Sequence, residues 1–401
     1  MKRTILLFGN HPPPYGGVPV HIKYIATKLT ENGWKVHVLA LNGNSKFGRN
    51  KVEFGDYLVH RPSKLVLYFG LLQNPTQLIK SFRIKEIFRF RDYISRMKMS
   101  FYVDKLCLEN KIYLISAYHL DIGIFCTLAS KKYKIPVVIT IFGEIYSRTN
   151  FYNRNYDLVQ DTVTRSLNLL SCSQHCANSL RKIGFDRKVE VVYHGVDINR
   201  FPMNLENSSF LLKKYSIKDE SPIVLFVGRM TEEMGLDVLL KAIPGTISKS
   251  GNIIFFIVGA KGSKTKAALQ LQKSNPSHVF VEVDVSQSEI AMFYAVCTVV
   301  VVPSTNERAC LGLAIIEAML SKKPVIVSNV GGGQEVVSIE DRKRMIQPNC
   351  HISLSNSILE TIATPKHKLL QVGETNRSRA IEKFSLEKTF NKMHKIFIDA
   401  L

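Results

Sequence analysis

Long apolar runs are missing from this chain of 401 residues. The longest, 253–260 and 299–303, fall far short of the roughly 20 residues that a membrane-spanning helix needs, so no segment is expected to cross a bilayer. The apolar core of an export signal is missing too: Lys2 and Arg3 are followed only by 5–8 before Asn10, His11 and Pro12, and the chain is expected to stay in the cytoplasm. Cysteines are few, odd in number at 7, and scattered through apolar stretches, which argues against a disulfide framework. Cys172, His175 and Cys176 have no second ligand pair at zinc-like spacing and read as packing residues, so no metal site is expected. Acidic residues are scarce, 33 against 54 Lys and Arg, for a net charge of +21.

The basic excess is uneven. Residues 1–200 carry 30 Lys and Arg against 14 Asp and Glu, while 201–401 carry 24 against 19. The first half is therefore expected to meet something anionic; nucleic acid, an acidic membrane surface and phosphorylated substrates all fit that sign. No recognisable nucleic-acid module accompanies the charge, and no nucleic-acid partner is expected.

With 45% hydrophobic and 22% charged residues, the chain has the composition of folded domains, and its length suggests two of them. Short β-branched runs alternate with amphipathic helical patterns from end to end, the signature of βαβ units and parallel sheets covered on both faces. Strands are expected at 4–9, 35–41, 112–117, 136–141, 168–171 and 189–193. A polar, lysine-bearing stretch at 201–221 follows, and strands resume at 223–228, 252–259, 278–283, 297–302 and 324–328. The expected fold is α/β, with two doubly wound Rossmann-like domains facing a cleft lined by the carboxyl ends of their strands. One segment departs from the alternation. At 84–105, Ile87, Phe90, Ile94, Met97 and Phe101 recur along one helical face, with Lys85, Arg89 and Arg96 opposite. That pattern fits a helix lying on an anionic membrane surface, and equally a helix packed on the sheet with a solvated basic side.

Several motifs sit where strands give way to helices. Gly16 and Gly17 precede the first helical pattern, where a ligand can approach backbone N–H groups at the positive end of a helix. Arg229 follows the strand at 223–228 and suits phosphate oxygens. Glu317 lies in a helical pattern after a glycine loop and has the bidentate acceptor geometry for two ribose hydroxyls. Backbone donors come from the glycine loops, including Gly312 with Leu313 and Gly331-Gly332-Gly333.

Gly16-Gly17-Val18, His194-Gly195-Val196-Asp197 followed by Phe201, Val227-Gly228-Arg229 with Gly235-Leu236-Asp237, Glu317-Ala318-Met319 and Pro324-Val325-Ile326 together resemble glycosyltransferase family 4 over nearly the whole chain. The resemblance implies the GT-B fold and a nucleotide-diphosphate sugar as donor, with retention of anomeric configuration and no metal or other cofactor. It implies an acceptor-binding domain at 1–201, a nucleotide-sugar-binding domain at 202–384 and a closing helix at 385–401 that crosses back to the first domain. By the same resemblance Arg229 neutralises the donor diphosphate and Glu317 holds the ribose. Gly16 and Gly17 approach the leaving phosphate or sugar from the other side of the cleft, and His119 lies near the reacting centre. The leaving diphosphate gathers negative charge, which fixed donors and cations stabilise most in the transition state.

Three positions depart from the family pattern. Met234 replaces a diphosphate-binding lysine, Phe142 replaces a histidine, and Ala309 stands where the first of two glutamates is usual. Glu307 takes that last role only if its loop bends, and it joins His119 and Arg229 as a candidate catalytic residue. Lys241 and Lys261 are candidates to replace the lost cation. The leading expectation is a hexosyltransferase at the inner membrane face, serving a lipid-linked or other anionic saccharide acceptor in surface polysaccharide or glycolipid assembly. The alternatives are a weakened protein of the same fold with a binding or regulatory role, and an epimerase or phosphorylase.

Overall fold

The computed structural model describes residues 3–12, 16–40, 51–53, 57–61, 90–201, 208–218 and 220–401. Continuous apolar runs become strands covered on both faces. Every residue of Thr4–Gly9 (β1) and Ile254–Gly259 (β10) is buried, which is why neither run shows polar alternation.

The chain divides into two compact units, the first comprising Met1–Cys172, Ala177–Val192 and Phe390–Leu401, the second Ser173–Cys176 and Tyr193–Thr389. The first is built on an eight-stranded sheet: β1 with Lys35–Ala40 (β2), Lys51–Glu53 (β3), Tyr57–His60 (β4), Leu114–Tyr118 (β5), Val137–Ile141 (β6), Asn168–Ser171 (β7) and Glu190–Val191 (β8), in the order β3-β4-β2-β1-β5-β6-β7-β8. All pairs are parallel except β3 with β4. The second unit holds a five-stranded parallel sheet of Ile223–Val227 (β9), β10, Val279–Val283 (β11), Val299–Val302 (β12) and Val325–Val327 (β13), in the order β11-β10-β9-β12-β13. Alternate residues feed the two faces of this sheet: Leu225, Phe256 and Val300 enter one core, Val224, Phe255 and Val299 the other.

In each sheet the strand order runs outward in both directions from one pair, β1 with β5 and β9 with β12. Such a reversal leaves a crevice at the carboxyl ends of the pair, where doubly wound sheets bind ligands.

The expected helix at 84–105 is realised as Phe90–Asn110. Lys85, Ile87 and Arg89 lie outside the described residues, and for Phe90, Ile94, Arg96 and Met97 the backbone alone is described. Further along, Met99, Tyr102, Val103 and Leu106 are buried in the core of the first unit while Phe101 is only half-buried. That part of the helix packs against the domain through a face rotated from the expected stripe. The motif at 194–197 has a packing explanation: a Cβ on Gly195 would lie 2.4 Å from the Ser385 backbone, because Val196 exchanges hydrogen bonds with Phe384 and Leu386. Among the described residues no helix is long and apolar enough to cross a membrane. None of the 7 cysteines is joined in a disulfide.

Candidate active site

In the second unit the site grows from the β9 and β12 ends. After β9 the main chain stays tied to its neighbours, with Gly228 N–H donating to the Val258 carbonyl at 3.0 Å and Met230 N–H to that of Ala260 at 2.9 Å. The loop then turns through Gly235 at φ 75°, so close to the end of β12 that an added Cβ would sit 1.7 Å from the Pro303 carbonyl oxygen. The Thr305 hydroxyl donates to the Glu232 carbonyl at 3.1 Å.

This closeness gathers charge. Arg229 projects into solvent with its side chain 60% exposed and lies 3.8 Å from Glu233. The other Glu233 oxygen takes Arg308, from the loop after β12, at 2.6 Å. Two guanidinium groups therefore share one carboxylate at the switch point. Lys264 pairs with Glu232 at 3.4 Å. Met234 packs against the core, and Lys241 and Lys261 are exposed. Arg308, which the sequence reading did not single out, is the cation found beside Arg229.

Glu307 is exposed, and its carbonyl oxygen lies 2.8 Å from His175 Nε2. Gly312 adopts φ 80° as it opens the helix Leu313–Leu320, which carries Glu317 on its second turn. Tyr294 donates its hydroxyl to one Glu317 oxygen at 2.9 Å, and Arg200 lies 3.9 Å from the other. Burial raises the Glu317 carboxyl pKa, with Arg200 and the Tyr294 hydroxyl opposing it. The side chain keeps 15% of its surface open, so a fixed acceptor remains within reach of solvent. Within the triple-glycine loop, Gly332 is committed to packing. A Cβ on Gly332 would lie 1.7 Å from the Cys310 carbonyl, and its N–H is bonded to the Ala309 carbonyl at 2.9 Å. That glycine serves close packing within the fold, and its donor is used there.

In the first unit the candidates again stand at the switch point, Gly16 and Gly17 after β1 and His119 after β5. Gly16 caps the helix Gly17–Glu31 in an extended conformation. An added Cβ would meet only Pro19, at an ordinary 3.7 Å, so packing places no demand for glycine there. His119 caps the helix Leu120–Tyr133 at φ 104° and ψ 146°, a region costing a residue with a side chain on the order of 1–3 kcal/mol. Phe142 stands edge-on to its imidazole with ring centroids 5.3 Å apart.

Glu144, also absent from the sequence reading, accepts the N–H groups of Leu120 at 3.0 Å and Phe142 at 2.7 Å. Its partners lie 24 and 2 residues away, and only the pairing of β5 with β6 unites them. The signal available in the sequence was a carboxylate one residue after a strand-end glycine.

Comparison with known proteins agrees with this architecture. Residues 15–200 match the family model described as Glycosyltransferase Family 4, and 207–379 match Glycosyl transferases group 1. A glycosyltransferase of Methanocaldococcus jannaschii is 25% identical over 397 residues, covering 98% of this chain and 97% of that protein. The lipopolysaccharide 1,2-N-acetylglucosaminetransferase of Salmonella typhimurium is 26% identical over 50% of this chain and 53% of its own. The sucrose-phosphate synthase of Thermosynechococcus elongatus superposes with a TM-score of 0.79 at 18% identity, over 99% of both chains. Anabaena HepE in complex with UDP-glucose superposes with a TM-score of 0.73 at 18% identity, over 98% of this chain and 99% of that one.

Paired doubly wound units with switch-point sites are the architecture of a GT-B glycosyltransferase. The chain belongs to glycosyltransferase family 4.

Proposed function

We propose that this glycosyltransferase takes a hexosyl group from a nucleotide-diphosphate sugar and passes it, with retention of anomeric configuration and without a metal ion, to a lipid-linked or other anionic acceptor in surface polysaccharide or glycolipid assembly. The observation that carries the reading is the sharing of Glu233 by Arg229 and Arg308 at the switch point of the second sheet. An exposed guanidinium held by one weak ion pair is free to turn to a diphosphate, whose oxygens it matches bidentately.

In this reading Glu317, fixed by Tyr294, accepts the ribose hydroxyls, and Gly312 and Leu313 present the first N–H groups of the helix. Gly16 and Gly17 leave room for backbone approach to a bound group, and His119 serves the reacting centre. Glu307 stays a candidate for contact with the transferred sugar. The guanidinium groups stabilise the charge that gathers on the leaving diphosphate. The UDP-glucose held by HepE supports a nucleotide-sugar donor, and the Salmonella relative supports a cell-envelope acceptor. The basic first half supports an anionic membrane surface as partner.

The test is thermal unfolding with UDP-glucose, UDP-N-acetylglucosamine, GDP-mannose and ADP-glucose, since a bound donor raises Tm by mass action. One donor should stabilise the protein, and Arg229→Ala and Glu317→Ala should each abolish the gain. Equal gains in wild type and both variants would reject this site. Stabilisation without any transfer or hydrolysis would favour a binding protein, the reading that Met234 and Ala309 support.

A further inference from the structure

The Glu144 carboxylate stands at the start of the helix Glu144–Arg154 and is 9% exposed. The Leu120 N–H that it accepts belongs to the peptide joining His119 to Leu120, and the Phe142 N–H belongs to the residue whose ring walls the imidazole. One side chain thus holds the main chain immediately after His119 together with the surface beside its ring. His119 itself is in a backbone conformation that L residues avoid, φ 104° and ψ 146°, and such strain persists only where the surroundings over-determine it. Arg148 of the same helix pairs with Asp121, a second tie between the two helix starts. Burial raises the Glu144 carboxyl pKa, and the neighbouring His119 works against that rise.

We propose that Glu144 is a positioning residue for sugar transfer: its carboxylate locks His119 in the strained conformation that presents the imidazole to the reacting centre. This rests on the reading of His119 given above, and Glu144 itself touches no substrate. A carboxylate is required because both oxygens must accept. Glutamine offers one acceptor and turns its amide donors toward the remaining N–H.

The experiment measures nucleotide release from UDP-glucose, UDP-N-acetylglucosamine, GDP-mannose and ADP-glucose, alongside thermal unfolding. Glu144→Gln should lower kcat for the donor used by on the order of ten- to a hundredfold, as a misplaced catalytic group does, while KM changes less than about twofold. In a His119→Ala background the same substitution should add nothing, because residues acting as one unit are not additive. In unfolding, His119→Gly should raise Tm by relieving the strain, and Glu144→Gln should lower Tm more in that background than in wild type, where relaxation of His119 offsets part of the lost hydrogen bonding.

An undiminished kcat loss in the His119→Ala background, or an equal drop in Tm in both His119 backgrounds, overturns the positioning role alone. Wild-type turnover in His119→Ala removes the reading of His119, and the proposal with it.

Discussion

The indole N–H of Trp34 donates to Nε2 of His394 at 3.1 Å, joining residues 360 apart in sequence within the first unit. His394 stacks on Phe390 with centroids 5.1 Å apart, and the Arg3 guanidinium lies 5.7 Å from the Trp34 ring centroid. Burial, then the charge of Arg3, lowers the His394 pKa, which favours the neutral ring that the indole requires as acceptor. His394→Leu keeps an apolar contact but leaves a buried N–H without its acceptor, a loss of about 1–3 kcal/mol. Trp34 is the only tryptophan, so urea unfolding followed by its emission reads this unit directly. A change below about 0.5 kcal/mol would show that the bond contributes little.

Acid should unfold the first unit before the second. His37 and His60 stack with Nδ1 and Nε2 2.9 Å apart, and burial drives both pKa values from 6.5 to about 4, with mutual repulsion adding to the effect at His37. A histidine whose folded pKa is depressed stabilises the fold fully above its unfolded value and loses that contribution as pH falls from 6.5 towards 4, roughly 3 kcal/mol for each ring at full protonation. In the second unit His194, also lowered to about 4 by burial, acts the same way. There Asp341 opposes it: burial raises its carboxyl from 3.8 to about 6, so its contribution grows as pH falls through that window. Trp34 emission should therefore change at a higher pH than the far-UV circular dichroism of the whole chain, and His37→Phe with His60→Phe should flatten the emission profile. Coincident transitions would contradict the assignment.

How much of this was legible depended on distance along the chain. The strands of the second unit follow from β-branched runs closed by glycine, because burial on both faces leaves an unbroken apolar signature. β4, four residues ending in His60, carries no such signature, and β3 is only Lys51–Glu53. Arg229, Glu317 and His119 were visible as motifs after strands. Arg308 was not, because its link to Glu233 spans 75 residues, nor was Glu144, whose partners come from two strand ends. Glu335 is a similar case: its carboxylate accepts the N–H groups of Gln174 and His175, 161 and 160 residues away. Local patterns show which elements form, whereas these partners become neighbours only after the sheets assemble.

Two glycine substitutions should separate folding from function. Gly235→Ala forces a side chain into φ 75° and against the Pro303 carbonyl at 1.7 Å, and should destabilise the protein by about 2 kcal/mol or more. Gly16→Ala meets only Pro19 at 3.7 Å and should leave Tm unchanged while lowering turnover of the donor that the melting screen selects. Chemical unfolding and turnover together decide the matter. A stable Gly235→Ala, or a fully active Gly16→Ala, would contradict the role assigned to that position.

Removing the Glu233 charge should tighten nucleotide binding, contrary to the usual effect of altering a site residue. Its two oxygens engage Arg308 at 2.6 Å and Arg229 at 3.8 Å, so a diphosphate approaching either guanidinium competes with a carboxylate already present. Both arginines are about half exposed or more, and pairs of that kind contribute about 0.2–1 kcal/mol. Glu233→Gln should therefore strengthen binding of the preferred nucleoside diphosphate, among UDP, GDP and ADP, by a factor of up to about five. The gain should vanish in the Glu233→Gln, Arg229→Ala double variant and shrink as salt screens the charges. Titration calorimetry at two ionic strengths measures both effects. Weaker binding in Glu233→Gln would show instead that the carboxylate orients the arginines for the ligand, and the competition argument would fail.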